Sequence, residues 1–303
     1  MRKRPGLVYS DGYFAEIGLH VFPMRKFRLL RDEIVRRGLA AEGDFTVPAP
    51  ATRAQIARVH DDAYIEKLLR GTLSQLEEAI LELPYSRKLA DASFLCAGGS
   101  IRAARLAVER GAAVNLGGGF HHAFADHGEG FCVLNDVAIA IRDLLHDGTI
   151  QRAAVIDVDV HQGNGTAAIF RDDPSVFTFS IHEEDNYPFV KPPSDQDVGL
   201  DRGADGQAYL AALGHWVPRI LESHRPDLIA YVAGADPFEE DQLGGLKLTR
   251  DDLRARDRLV FGSARERSIP VAAYLAGGYA RRVEDTVSIH ADMVEEAFRS
   301  AKD

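Results

Sequence analysis

The chain reads as an α/β protein of three layers, with helices on both faces of a central, mostly parallel sheet. Three observations predict this. Five short apolar runs, at residues 112–116, 153–158, 176–181, 228–233 and 271–276, are nearly continuous rather than alternating. That is the pattern of strands covered on both faces. Longer amphipathic stretches separate most of them, as βα units require. Each run also ends in a polar or glycine-rich turn.

In order, a first strand is expected near residues 7–9. The first hundred residues are otherwise mostly helical, around 54–69, 73–83 and 94–109. The apolar runs then alternate with helical spacing at 137–145, 208–221, 253–267 and 287–297. Thr249 with Asp252 has the form of a helix start, a hydroxyl at the cap and a carboxylate three residues on. With 303 residues, 46% of them hydrophobic, there is ample material for a core. Neither a linker nor a repeat divides residues 1–303, so one α/β domain is expected.

Composition excludes several classes. The net charge of −10 argues against direct binding to a nucleic-acid backbone, which needs clustered Lys and Arg. The basic start Arg2-Lys3-Arg4 is broken by Pro5 and Gly6, and neither a signal core nor a transmembrane stretch follows. No membrane partner is expected. Cys96 and Cys132 are too few for a disulfide framework or a multi-cysteine zinc site, and they fit a reducing, cytoplasmic setting.

The strand ends carry the chemistry. Residue 116 leads into G-G-G-F-H-H-A, and the 153–158 run into D-V-D-V-H-Q-G-N-G. Ser180 and Ile181 lead into H-E-E-D-N-Y, Ala233 into G-A-D-P, and Ala276 into G-G-Y. Ligands of open α/β sheets gather outside the carboxyl ends of the strands, so these turns converge on one edge. Residues two apart in an extended strand share a face, which lets Asp157, Asp159 and His161 project together unless the strand end twists one away. Asp236 could add a third ligand. An Asp-His-Asp set leaves a position open for water, as a catalytic zinc site needs, and it also admits iron(II). Such an ion activates water and polarises a carbonyl. The tandem His121 and His122 could supply base and acid, with Asp157 and Asn164 as candidates to fix their tautomers. Tyr279 could donate to an oxyanion.

Each motif alone has a plainer reading. A His-His pair can be two capping or surface histidines, and Asp-x-Asp a solvated loop. Gly117–Gly119 fits neither dinucleotide nor P-loop spacing and can be a tight turn. Gly277-Gly278-Tyr279 can be a turn with a packed tyrosine, and Gly130-Phe131-Cys132 a piece of core with an inert thiol. Their shared edge is what gives them weight. His20, His60, His127, His146, His215, His224 and His290 lack such company and read mostly as structural or exposed. Glu239-Glu240-Asp241 reads as a solvated loop, close enough to Asp236 to line an entrance.

The block from Gly117 to Asp136, followed by D-V-D-V-H-Q-G-N-G, A-G-A-D-P and A-G-G-Y in this order, resembles the zinc-dependent histone deacetylase family of the arginase/deacetylase superfamily. The likeness runs from Tyr9-Ser10 to the C-terminal helix. H-Q-G-N-G and S-I-H-E-E-D-N-Y-P-F look most like its class IV branch and bacterial relatives. The resemblance implies zinc on Asp159, His161 and Asp236. It makes His122 the general base and then acid, and His121, paired with Asp157, mainly electrostatic. Tyr279 polarises the scissile carbonyl. Gly130 and Phe131 form one wall of an acyl-lysine tunnel, and His182, Tyr187 or Phe189 the other. It also implies a structural potassium ion held partly by main-chain oxygens of Asp157, Asp159, His161, Ser180 and Ile181.

Two departures stand out. Gln162 and Asn164 replace a His and an Asp of many family members, and a neutral Asn cannot raise the pKa of His122 as an Asp would. Active branches of the family nonetheless carry Asn there. Leu243 falls where specialised polyamine deacetylases place an acidic gatekeeper, a part that the neighbouring Glu239, Glu240 and Asp241 could also play. The implied activity is hydrolysis of acetyl or longer acyl groups from lysine-type amines, in peptides, proteins or small N-acyl amines. The alternatives are an acetylpolyamine amidohydrolase, a catalytically silent acyl-lysine-binding module, and a two-metal hydrolase of the arginase kind, which would need more Asp and His ligands.

Overall fold

The computed structural model describes residues 4–300, so Arg2 and Lys3 of the basic start lie outside the described residues. Eight strands form one sheet in the order β2-β1-β3-β8-β7-β4-β5-β6, with every pairing between them parallel. They are β1 (Gly6–Val8), β2 (Phe45–Thr46), β3 (Ala112–Asn115), β4 (Ala153–Asp157), β5 (Val176–Glu183), β6 (Gln196–Leu200), β7 (Leu228–Val232) and β8 (Val271–Tyr274). The helices are α1 (Lys26–Arg36), α2 (Arg53–Ile56), α3 (Asp62–Arg70), α4 (Gln75–Leu81), α5 (Arg87–Arg110), α6 (Asp136–His146), α7 (Asn164–Phe170), α8 (Gly206–His224), α9 (Arg250–Glu266) and α10 (Val283–Ser300).

The five apolar runs are the central strands and β5. Every residue of β3, β4, β7 and β8 is buried, which is why those runs do not alternate. α5 packs on β1, β3 and β8 and against α6, while α8 packs on β4 and β5 and against α9. Thr249 and Asp252 form the expected reciprocal cap of α9, the hydroxyl accepting from the Asp252 N–H and the carboxylate from the Thr249 N–H. Among the described residues no helix is long and apolar enough to cross a membrane.

Several expectations are corrected. The helix expected over 54–69 is two helices, α2 and α3, because tertiary contacts claim the segment between them. The Asp61 N–H bonds the Ala125 carbonyl at 2.8 Å, and His60 Nε2 accepts the Asn135 N–H at 3.0 Å. α1 was not expected: its buried Phe27, Leu30 and Ile34 have helical spacing, but basic residues surround them. α7 starts inside D-V-D-V-H-Q-G-N-G and places Asn164 in its first turn. β6 is a polar, part-exposed edge strand without an apolar signature.

His60 is 2% exposed, and its burial lowers its pKa from 6.5 to about 4. As pH falls from 6.5 to 4 the unfolded chain takes up this proton while the folded chain resists it, so stability declines through that window. Urea melts should therefore show the advantage of the parent over His60→Gln shrinking by about 3 kcal/mol between pH 7 and pH 4. An advantage that does not change with pH would refute this.

Candidate active site

The carboxyl ends of β4, β7 and β8 lie side by side, and the loops leaving them meet. Ligand atoms of Asp159, His161 and Asp236 lie within 4.8 Å of one another, the one such cluster among the described residues. Backbone donors orient the carboxylates. Gly277 N–H donates to Asp159 Oδ2 at 2.8 Å, His161 N–H to Asp159 Oδ1 at 3.0 Å, and Val160 N–H to Asp236 Oδ1 at 2.9 Å. A Cβ at Gly277 would stand 1.9 Å from Asp236 Oδ2, so only glycine lets β8 approach this closely.

Both carboxylates are fully buried, and Asp236 Oδ2 accepts no hydrogen bond, although His161 Nδ1 lies 3.3 Å away. Burial, then repulsion from Asp159, pushes the Asp236 carboxyl up. Two crowded carboxylates, an imidazole nitrogen and an unmet oxygen lone pair suit a divalent cation. Asp157 does not join them. β4 ends at Asp157, and its Oδ2 turns to His121 Nδ1 at 2.7 Å, so of the three side chains the strand end turns this one away.

The histidine rings have centroids 4.1 Å apart and different partners. His121 faces the Asp157 carboxylate, whereas His122 Nδ1 meets Asn164 Oδ1 at 2.7 Å. For His121 burial opposes the charged form, but the Asp157 and Asp159 carboxylates outweigh it and hold its pKa up at about 9. Burial, then the neighbouring His121 and His161, pushes His122 well below the usual imidazole range. Two adjacent imidazoles are thus shifted in opposite directions, His121 up by its carboxylates and His122 down by burial and its histidine neighbours.

A cavity of about 170 Å³ opens onto these groups, lined by Phe131, Tyr187, Tyr279, Leu243, Gly130 and Glu82 among others. Phe131 and Gly130 sit in a tight turn closed by two bonds between Glu129 and Cys132, with φ of +50° at Gly130 and +67° at Phe131. Such a turn needs left-handed backbone at both central residues. A Cβ at Gly130 would also lie 2.8 Å from the Tyr187 hydroxyl. Of the three candidates for the opposite wall, Tyr187 lines the cavity, its ring centroid 5.0 Å from that of His122. His182 is buried against Ser180 Oγ at 2.9 Å, and Phe189 is fully exposed. Ser180 pairs in register with Asp157, and Ser180 and Ile181 are buried beside it in β5.

Sequence reasoning overlooked other residues here. Asp241, read as part of a solvated loop, turns inward and accepts the Tyr279 N–H at 2.7 Å and the Leu243 N–H at 2.8 Å. Glu239 and Glu240 remain exposed. Lys26 is fully buried, bonds the Ala276 carbonyl at 2.6 Å and lies 5.8 Å from the Tyr279 ring centroid. His20, set aside as lacking company, meets Phe131 edge-on at 4.8 Å. Glu129 bonds both Asn164 and Tyr187. None of these shows a local sequence signal, because each acts through contacts distant in the chain.

Residues 20–294 match the family model described as the histone deacetylase domain. The chain belongs to the histone deacetylase family. It is 32% identical to Histone deacetylase 2 of Arabidopsis thaliana over 97% of this chain and 78% of that one. It is 30% identical to the acetoin utilization protein AcuC of Bacillus subtilis, over 80% and 68% of the two chains. An uncharacterized Picosynechococcus protein is 42% identical over 94% of this histone deacetylase family member and 95% of its own length. The crystal structure of the HDA15 HD domain superposes with a TM-score of 0.81, at 19% identity, over 98% and 88% of the chains, and shows the shared arginase/deacetylase fold.

Replacing one carboxylate should relieve the crowding at the cluster. Under chelation, Asp236→Asn is expected to melt at a higher temperature than the chelated parent, because it removes a buried like-charge contact. A lower melting temperature under chelation would show that the crowding is not destabilising.

Proposed function

We propose that this histone deacetylase family member is a metal-dependent amidohydrolase that removes acetyl or other short acyl groups from lysine-type amines. The observation that carries the reading is the meeting of the buried Asp159–His161–Asp236 cluster with the His121–His122 pair beside one narrow cavity, which His122, His161 and Tyr279 line. One catalytic domain across residues 1–303 and a cytoplasmic setting, in keeping with the free thiols of Cys96 and Cys132, belong to the same proposal.

Asp159, His161 and Asp236 would hold the ion, and their mixed oxygen and nitrogen donors suit zinc, with iron(II) as the other candidate. A bound ion would lower the pKa of a water and polarise the acyl carbonyl. His122, neutral at Nε2, takes a proton from the attacking water and returns it to the leaving amine. His121, held positive by Asp157, stabilises negative charge as it develops. The Tyr279 hydroxyl, kept protonated by burial, donates to the carbonyl oxygen. Phe131 and Tyr187 flank the lysine methylenes and exclude water. Oxygens of Asp157, Asp159, His161, Ser180 and Ile181 would hold potassium as a structural ion, a hard cation on an oxygen set.

The substrate is an acyl-lysine in a peptide or protein. The cavity of about 170 Å³ is below the roughly 300–1,000 Å³ of pockets that hold drug-sized ligands, which favours short acyl groups over fatty ones. Glu82 at the rim supports a second reading, an acetylpolyamine substrate with a free cationic amine near that carboxylate. On a fluorogenic panel from acetyl- to myristoyl-lysine, turnover is expected to fall with chain length. Tyr279→Phe should lower kcat by about 10²–10³, and His122→Ala should lose turnover. Intact turnover in both variants would sink the assignment. Turnover confined to acetylpolyamines would select the second reading.

A further inference from the structure

Glu129 lies within the block from Gly117 to Asp136 but has no assigned role there, yet it is bonded to two parts of the site. Its Oε1 accepts from Asn164 Nδ2 at 2.7 Å and from the Tyr187 hydroxyl at 2.8 Å. Asn164 Oδ1 in turn faces His122 Nδ1 at 2.7 Å. One run of hydrogen bonds therefore joins imidazole, amide, carboxylate and phenol. The carboxylate is held in place by the tight turn between Glu129 and Cys132 that also sets Phe131 in the cavity wall. Burial opposes its ionisation, but the bonds from His127, Tyr187 and Asn164 prevail and keep it ionised at neutral pH.

The consequence follows from the symmetry of an amide. Its oxygen and nitrogen ends are nearly the same size, so packing alone does not decide which end meets His122. A carboxylate only accepts, so Glu129 draws the NH₂ end of Asn164 and leaves Oδ1 for His122. His122 then carries its proton on Nδ1, and Nε2 keeps a lone pair for the site. The contrast with His121 is instructive, since that ring bonds an anion directly. We propose that Glu129 is a positioning residue that supplies His122 with an anionic partner one amide removed, fixes its tautomer through Asn164, and couples it to the tunnel wall through Tyr187. The proposal rests on His122 being the base of the proposed reaction.

The test is turnover of an acetyl-lysine peptide by the zinc-loaded parent, Glu129→Gln, Asn164→Asp and the double variant. Alongside it, ¹⁵N NMR of histidine-labelled protein reads the His122 tautomer. Glu129→Gln is expected to lower kcat by about 10- to 100-fold, the usual cost of losing a partner that orients a site residue, with KM little changed. Asn164→Asp sets two carboxylates against each other and also lowers kcat. Adding Glu129→Gln to it should raise kcat, because the new amide can donate to the new carboxylate. A purely structural role would not reverse sign in this way. The parent should show Nδ1–H at His122, and Glu129→Leu a mixture of tautomers. Equal effects of Glu129→Gln in both backgrounds, or a tautomer indifferent to Glu129→Leu, would overturn the proposal. A parent with no turnover on any acyl amine would defeat the proposed function instead, and the tautomer would still decide the part played by Glu129.

Discussion

The site depends on holding two carboxylates against one imidazole where water cannot screen them. Asp159 and Asp236 are fully buried, and the Coulomb repulsion between them is strong in such surroundings. The fold offsets this with backbone donors. The N–H groups of Gly277, Val160 and His161 each bond one of these oxygens, and they come from the loops after β8 and β4, on either side of β7, whose loop carries Asp236. The sheet aligns the strands, the loops present the donors, and the donors orient the carboxylates toward the remaining unmet oxygen at Asp236. The completely buried faces of these strands make the platform stiff enough to hold that arrangement.

The same logic separates the two histidines. Identical adjacent side chains differ because a carboxylate holds His121 up, while His122, facing only an amide, has no anion to offset burial and its histidine neighbours. Asp157 stands at the end of β4 and Asn164 at the start of α7, so a loop of six residues distributes the two partners. The backbone path thus sets the two partners, and burial together with the charge of the neighbouring histidines pushes His122 down. Asn164 is neutral, which gives weight to the group behind it, and the bond from its amide to Glu129 lies 35 residues away in sequence.

The sheet was legible because parallel strands buried on both faces are written as unbroken apolar runs. The candidate ligands, both histidines and Tyr279 could be placed on one edge because they follow those runs closely. β6, with Gln196 and Asp197 at its start, was not, since an edge strand half open to solvent carries no such run. The stretch around His60 looked like one helix by periodicity, and only its contacts with Ala125 and Asn135 break it. The choice of Tyr187 over His182 and Phe189 needed the turn geometry at Gly130, which places a backbone without Cβ under the Tyr187 hydroxyl. Lys26, Glu129 and Asp241 act through contacts that no local pattern encodes.

The central claim is that the Asp159–His161–Asp236 cluster is built for one catalytic cation. The most direct test is the transition-metal content of the purified protein, by mass spectrometry of the parent and of Asp159→Ala after equal exposure to zinc. One ion per chain in the parent, lost in the variant, is the result expected. Two ions per chain, or an ion retained by Asp159→Ala, would contradict the account and point to a different ligand set.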